Sequence, residues 1–401
     1  MANTLLNISM ITNEALMVLE NNLTFTKKVN REYDNAFGRT EAQIGTTLNI
    51  RKPARYTRTM GPTLQVQSTT ETYVPLVLNS WYQQSVSFTT EEMTLNIAEF
   101  SDRILKPEIA QLANNIDYDG LQLASDVYNS VGTPGSTPSS LLTYLNAGVL
   151  LDNNATPMDG QRSIVVNPLA QATIVNALTT IFNPTKTISE QYQKGSMGEA
   201  IGFDWNMDQN VSMHTVGTYG GTPLVNGAGQ TGSTLVTDGW TATTTSLNVG
   251  DIFTLAGVFA VNPQNYQSTG SLQQFVVTAQ TTTDGSGNST ISISPAITTS
   301  GAFQTVTNSP ADNAAITVVG ASGTVTPQNL AFHKDAFTFA TVDLFVPGGV
   351  DMAKRVSSKK LNMSMRCVRA YDINNDRLPM RLDLLGGWKT IRAETACRIQ
   401  G

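Results

Sequence analysis

The sequence predicts an α+β protein whose mixed helix-and-sheet body is interrupted by an all-β, barrel-like segment. Three observations carry that reading. Between Asn96 and Val131, the residues Leu105, Ile109, Leu112, Ile116, Leu123, Val127 and Val131 recur at helical spacing, with Gly120 in the vacant place of the stripe. Near the C-terminus, Met380, Leu382 and Leu384 alternate with Arg381 and Asp383. Ile391, Ala393, Thr395, Cys397 and Ile399 likewise alternate with Arg392, Glu394 and Arg398, the period of half-buried strands. Between Gly195 and His333 there is no Lys or Arg, although seven acids occur there, so this stretch differs from the rest in charge as well as in texture.

Composition sets limits on what the chain can be. Its 401 residues are 40% hydrophobic, enough for the cores of two or three domains. Only 14% are charged, so the polar surface is built mostly of Thr, Ser, Asn and Gln. A net charge of −6 gives no general attraction to nucleic acid or anionic membranes. Cys367 and Cys397 stand alone, without metal or redox spacing. There is no basic-then-apolar leader and no apolar run of membrane-spanning length, so a soluble protein made in the cytoplasm is expected.

In chain order, Asn13 to Leu23 reads as a short helix with Thr12 as N-cap and an Ile11–Leu16 staple, followed by a polar, aromatic-dotted arm. Residues 45–95 read as two extended arms around a tip at Met60, Gly61 and Pro62. Arg51, Lys52, Arg55 and Arg58 make the first arm basic with few acids nearby. This leaves either a solvated loop or one whose partner is another subunit. The long helix has Asn96 and Glu99 placed as a capping box, and Pro107 as a kink or a fresh start. From Pro107 to Val131 it would measure roughly 37 Å. Gly132, Pro134 and Gly135 stop it.

Further on, SLLTYLNAGVLL has helical spacing and SIVVN reads as a buried strand. Asn167 caps a helix that opens on Pro168. From Gly217 to about Pro327, short β-branched runs (GDIFTLAGV, QQFVVTAQTT, STISIS, AITVVG) alternate with turn residues, as in a small closed barrel or sandwich. The terminal strands offer the apolar face that the long helix needs.

Catalytic signals are weak. His214 and His333 read as structural, and no G-x-S-x-G elbow accompanies them. Gly227, Gly229 and Gly232 with Asp251 mimic a dinucleotide fingerprint, but a strand follows where a helix is needed. Asp372, Asn374 and Asp376 begin like a calcium loop, yet Arg377 replaces its Gly and Asp383 its Glu, so a tight turn is expected. No catalytic, metal or cofactor residue is assigned.

The segments ITNEALMVLENNL, VNREYD, IRKPARY, LANNIDYDGLQLAS, GDIFTLAGV, NLAFHKDAF and DLLGGWKTIRAETACRI together resemble major capsid (coat) proteins of tailed double-stranded-DNA bacteriophages. The resemblance is to the P22-type coat proteins, which have the HK97-type capsid fold with an inserted β-domain. It implies an N-arm (1–39) and an extended loop (40–95) that overlaps an adjacent subunit. It further implies a peripheral domain with a spine helix (96–138), an axial domain (139–216), an inserted β-domain (217–327), an axial return (328–350) and peripheral strands (351–401). Arg51, Lys52, Arg55 and Arg58 become candidate inter-subunit contacts. Leu105, Ile109, Leu112, Ile116, Leu123 and Val127 become the spine-helix core.

The implied function is structural, not enzymatic: pentamers and hexamers of an icosahedral shell. Such a shell is assembled in the host bacterial cytoplasm with scaffolding and portal proteins into a procapsid that expands. It encloses double-stranded DNA without sequence-specific contact, and the coat protein ends in the virion. No cofactor, membrane or Lys–Asn cross-link is implied. The alternatives are an encapsulin-like nanocompartment shell and a carbohydrate-binding or adhesive β-protein. The β-segment and low charge weigh against the first. The lack of a carboxylate pair and of a secretion signal weighs against the second.

Overall fold

A computed structural model of the chain describes residues 15–20, 22–32, 47–57, 59–89, 106–178, 198–243, 245–357 and 363–401. The caps expected at Thr12 and Asn96, the Ile11 staple, Leu105 and Arg58 lie outside the described residues. The chain forms two compact units that are interleaved in sequence. One draws on Met1–Ile50, Tyr73–Gly120 and Phe337–Ile391. The other draws on Arg51–Thr72, Leu121–Ala336 and Arg392–Gly401.

The first unit is organised on the strand Arg377–Thr390. One edge of it pairs with Ser80–Thr89, from Thr89 opposite Arg377 to Ser80 opposite Gly386. The other edge pairs with Phe337–Val342 and with Ser364–Arg369, beyond which lies Met352–Ser357. Met380, Leu382 and Leu384 are buried, as their alternation demands. Asp383 is fully buried too, because Arg366 Nη2 (2.6 Å), Arg381 Nε and Trp81 Nε1 (3.2 Å) all donate to its carboxylate.

The helix Lys106–Leu121 carries the apolar stripe of this unit, with Ile109, Leu112 and Ile116 inaccessible to solvent. Gly120 faces the Trp388 indole, which stacks on Phe25 and Phe339 with centroids 5.6 and 4.5 Å away. Asp117 accepts hydrogen bonds from the backbone N–H groups of Thr24 (2.6 Å) and Thr26 (2.9 Å), tying the segment after helical residues 15–20 to the helix. Burial pushes the Asp117 carboxyl upward, and the hydrogen bonds from Thr24 and Thr26 oppose that shift.

Three expectations are corrected in this part of the chain. The α-helix ends at Leu121, passes into a 3-10 turn at Gln122–Asp126, and Ser130–Gly132 is a strand, so its length is about 24 Å. The reason is tertiary: Asn129 Nδ2 donates to the carbonyls of Glu394 and Ala396, and Ser130–Gly132 pairs in parallel with the C-terminal strand. Secondly, the stretch 73–89 is not one arm. Tyr73–Val77 pairs with Thr47–Arg51, whereas Ser80–Thr89 joins the sheet. Thirdly, Ile391–Ile399 is not a strand of this sheet. It turns through Ala393–Thr395, and Ala396–Gln400 enters the other unit. Phe337–Val342 pairs with Arg377–Thr390 in the first unit.

The second unit holds a sheet in the order Ser130–Gly132, Ala396–Gln400, Val325–His333, Arg162–Val166, Phe203–Met207, Glu199–Ala200. The helix Leu141–Asn153 packs Tyr144, Ala147 and Leu151 into its core, and Pro168–Leu178 contributes Ala170 and Ile174. Ser140 caps the first helix through Leu142 N. Asn167 caps the second through Ala170 N at 2.9 Å, with Pro168 at its first position. The strand Phe203–Met207 carries little sequence signal, because its apolar and polar residues alternate over only five positions.

The same unit contains six further strands in the order Ile316–Val318, Ile252–Val261, Ser268–Val277, Ser289–Ile297, Gly232–Trp240, Gly221–Val225. The two edges of this sheet meet. Val225 N donates to Ala314 O (3.0 Å) and Asn313 N donates to Val225 O (2.9 Å), turning the sheet into a ring around Leu235, Phe253, Phe275, Ile291 and Ile293. Its two ends lie side by side, since Met213–Thr215 pairs with Val325–Pro327.

Candidate functional site

Among the described residues, no group of three or more His, Cys, Asp or Glu side chains is placed to hold a metal, and no helix is long and apolar enough to cross a membrane. The residues that sequence offered as chemistry are used to hold the fold. His214 Nε2 lies 2.8 Å from Asp251 Oδ1. The Asp251 carboxylate also accepts from Gly217 N (3.0 Å) and Asn248 N (2.8 Å), which fixes the base of the ring. His333 Nε2 is 3.2 Å from Asp159. Gly227 and Gly229 lie between the strands Gly221–Val225 and Gly232–Trp240, Gly232 opens the second of them, and Asp372 accepts from Asn374 N and Asn375 Nδ2 in a turn.

Arg398 departs from expectation. It was placed on a polar strand face but is wholly buried, donating from Nη1 to Gly250 O (2.8 Å) and Gln328 Oε1 (3.2 Å). Burial lowers its pKa to about 9, against the opposing pull of Asp251.

The surface with most unspent chemistry is the basic arm 51–57 with the cleft beside it, all within the second unit. Lys52 N donates to Thr72 O (2.7 Å), and Thr57 and Gln67 exchange two hydrogen bonds that hold the arms together. Tyr266 Oη donates to Tyr56 O at 2.9 Å, seating the arm on the ring. Arg55 Nη2 lies 3.1 Å from Glu394 Oε1, the same oxygen that Arg392 Nε meets at 3.2 Å, and its guanidinium sits 5.9 Å from the Phe303 ring centroid. Arg51 reaches Glu71 at 3.3 Å in the open.

Few acids stand near these cations in sequence, and the structure gives Arg51 and Arg55 partners within the chain, Glu71 and Glu394. Glu394 stands 339 positions from Arg55 and could not be seen as its neighbour. Burial lowers the Lys52 pKa, Glu394 opposes that shift, and the Arg55 and Arg392 charges add to it.

Among the described residues, apolar side chains cluster in the open at the hairpin tip and on one helix. At the hairpin tip, Met60, Leu64 and Val66 are 73%, 87% and 85% exposed. On the helix Leu141–Asn153, Leu142, Leu145 and Val149 form an exposed stripe opposite the buried one. Of the residues expected in a spine-helix core, Ile109, Leu112, Ile116 and Val127 are buried and Leu123 is half-buried.

The chain matches, over residues 1–400, the family model described as "P22 coat protein - gene protein 5". No curated protein matches it. Similar solved structures include that of "Mycobacterium phage Che8" (12% identity, TM-score 0.47, covering 94% of this chain and 90% of that one). Another is "Capsid of Ralstonia phage GP4" (7% identity, TM-score 0.46, covering 93% and 86%). A third is "Capsid structure of the Cyanophage P-SCSP1u" (11% identity, TM-score 0.44, covering 94% and 87%). The family model spans almost every residue, and on that match the chain belongs to the P22 coat protein family, as a structural major capsid protein that forms a bacteriophage head.

Proposed function

We propose that this coat protein builds an icosahedral head as an HK97-type subunit, with residues 217–327 as an inserted β-domain and pentamers and hexamers as its capsomers. The whole-chain family match carries the reading. The ring supports the insertion: its two ends are neighbouring strands, so it can be spliced into a continuous sheet without displacing it. The open hairpin tip and the exposed helix stripe are surfaces of the kind that shell contacts cover. Arg51, Lys52, Arg55 and Arg58 remain our candidates for contact with an adjacent subunit, acting alongside the internal pairs described above. In this reading a scaffolding protein and a portal act during assembly in the host cytoplasm, double-stranded DNA is enclosed without sequence-specific contact, and the subunit performs no catalysis.

Electron microscopy of the purified protein, with and without its scaffolding protein, tests this. Closed shells of uniform size are expected when scaffold is present. Amorphous aggregate in both cases would sink the reading. Shells that hold an enzyme instead of DNA when isolated from infected cells would replace it with a nanocompartment.

A further inference from the structure

We propose that the cleft between the basic arm and the ring is a binding site for a phosphate-class oxyanion, held by Lys52, Arg55 and Arg392. The cleft encloses about 570 Å³, room for an anion larger than a single phosphate, and Lys52, Arg55, Arg392 and Glu394 line it together with Tyr56 and Phe303. Three cations thus surround one carboxylate, a local charge of +2 (three minus one). Glu394 is already shared: one of its oxygens receives both guanidiniums, at 3.1 and 3.2 Å. Each arginine spends on it a single N–H group out of five, so donors remain on both.

Lys52 makes no side-chain hydrogen bond or ion pair among the described residues, yet it is only half-exposed. An ammonium in that position lacks full hydration and shares the Glu394 counter-charge with two guanidiniums, and a bound dianion would supply further negative charge. The depressed pKa of Lys52 is consistent with this deficit. Arg55 is also held in place before any ligand arrives, by Glu394 on one side and the Phe303 ring on the other, which lowers the cost of ordering it. The ring opposite has no cation of its own, so the arm and Arg392 provide all the positive charge. The phosphate can come from a free anion such as pyrophosphate or from a nucleic-acid backbone, and the same donors serve both.

The test uses the full-length soluble chain and does not depend on shell formation, so its failure leaves the coat-protein reading untouched. Melting is followed in sodium phosphate, sodium pyrophosphate and sodium chloride at matched ionic strength, with calorimetric titration of pyrophosphate alongside. Phosphate and pyrophosphate should raise the midpoint while chloride does not. Lys52→Gln should weaken pyrophosphate binding by at least roughly tenfold, and Lys52→Arg should restore it. A short DNA duplex that competes with pyrophosphate would identify the backbone as the source, and one that does not compete would identify the free anion. Equal shifts in chloride, or no titration signal with the unsubstituted chain, would overturn the site even if Lys52→Gln failed to fold. Unchanged affinity in a folded Lys52→Gln would do the same.

Discussion

Replacing Gly120 with Ala sets two effects of known size against each other. In an unhindered helix interior the change favours folding by about 1 kcal/mol, because Gly loses more backbone freedom. Here the new Cβ would lie 2.6 Å from Trp388 Cζ2, 2.7 Å from Cη2 and 2.9 Å from Phe25 Cδ1. Carbon atoms prefer about 3.5–4.0 Å, so the indole would have to retreat by roughly 1 Å. It cannot do so freely, since it is stacked on Phe339 at 4.5 Å and on Phe25 at 5.6 Å, while Phe25 also meets Phe337 at 5.6 Å. Overpacking of this kind costs about 1–3 kcal/mol. Gly120→Ala should therefore destabilise by up to about 2 kcal/mol, opposite in sign to helix propensity. Urea unfolding should show a lower midpoint at unchanged slope. Trp388→Phe removes the two nearest atoms, so on that background Gly120→Ala should recover its propensity gain, with a coupling of about 1–2 kcal/mol. Strict additivity of the two changes, or a Gly120→Ala chain more stable than its parent, would refute the close-packed stack.

Other substitutions probe separate parts of the chain. Ile116→Asp puts an unpaired charge at a fully buried position and should cost several kcal/mol, giving aggregation or temperature-sensitive folding; an unchanged melt would show that the site tolerates water. Among the described residues, neither carboxylate oxygen of Glu108 has a hydrogen-bond partner, and burial pushes its pKa up to about 7. The folded chain then holds this proton more tightly than the unfolded one, so its contribution to stability falls as pH rises from about 4.5 to about 7. Glu108→Gln should flatten that slope in denaturant midpoints measured across the window. Arg51→Glu with Arg55→Glu should leave a folded monomer that assembles poorly, with a salt-sensitive defect, and wild-type assembly from an unfolding-prone monomer would contradict the arm's role. Residues 217–327 expressed alone should give β-type circular dichroism and a cooperative melt; an unfolded fragment would end the claim of autonomy.

What was legible in the sequence was local. The Asn167–Pro168 start, the helix of Leu141–Asn153, the strand Arg162–Val166 and four strands of the ring follow from caps, periodicity and turn residues acting over a few positions. The helix end was misread because Leu123, Val127 and Val131 keep helical spacing. Their backbone instead serves a partner far away in sequence, which periodicity cannot register. The same blindness hid Glu394 from Arg55. It also let Arg398 pass as a surface residue, although its carbonyl and amide acceptors, Gly250 and Gln328, lie 148 and 70 positions away.

These long-range pairings also order the way the chain can fold. The first unit needs Phe337–Ile391 to complete its sheet, and the second needs Arg392–Gly401. The strand Ala396–Gln400 is interior, between Ser130–Gly132 and Val325–His333, and all five of its residues are buried. Neither sheet is whole until strands far apart in sequence have met, and non-local pairing of this kind is slow to form. The ring is the exception. All six of its strands come from one continuous stretch, and its edges meet through Val225, Asn313 and Ala314 without help from either terminus. Its closure sets Met213–Thr215 beside Val325–Pro327, so pairing within the ring spans a separation of more than a hundred residues. A segment without a single Lys or Arg thus shortens the loop that the rest of the second unit has to close.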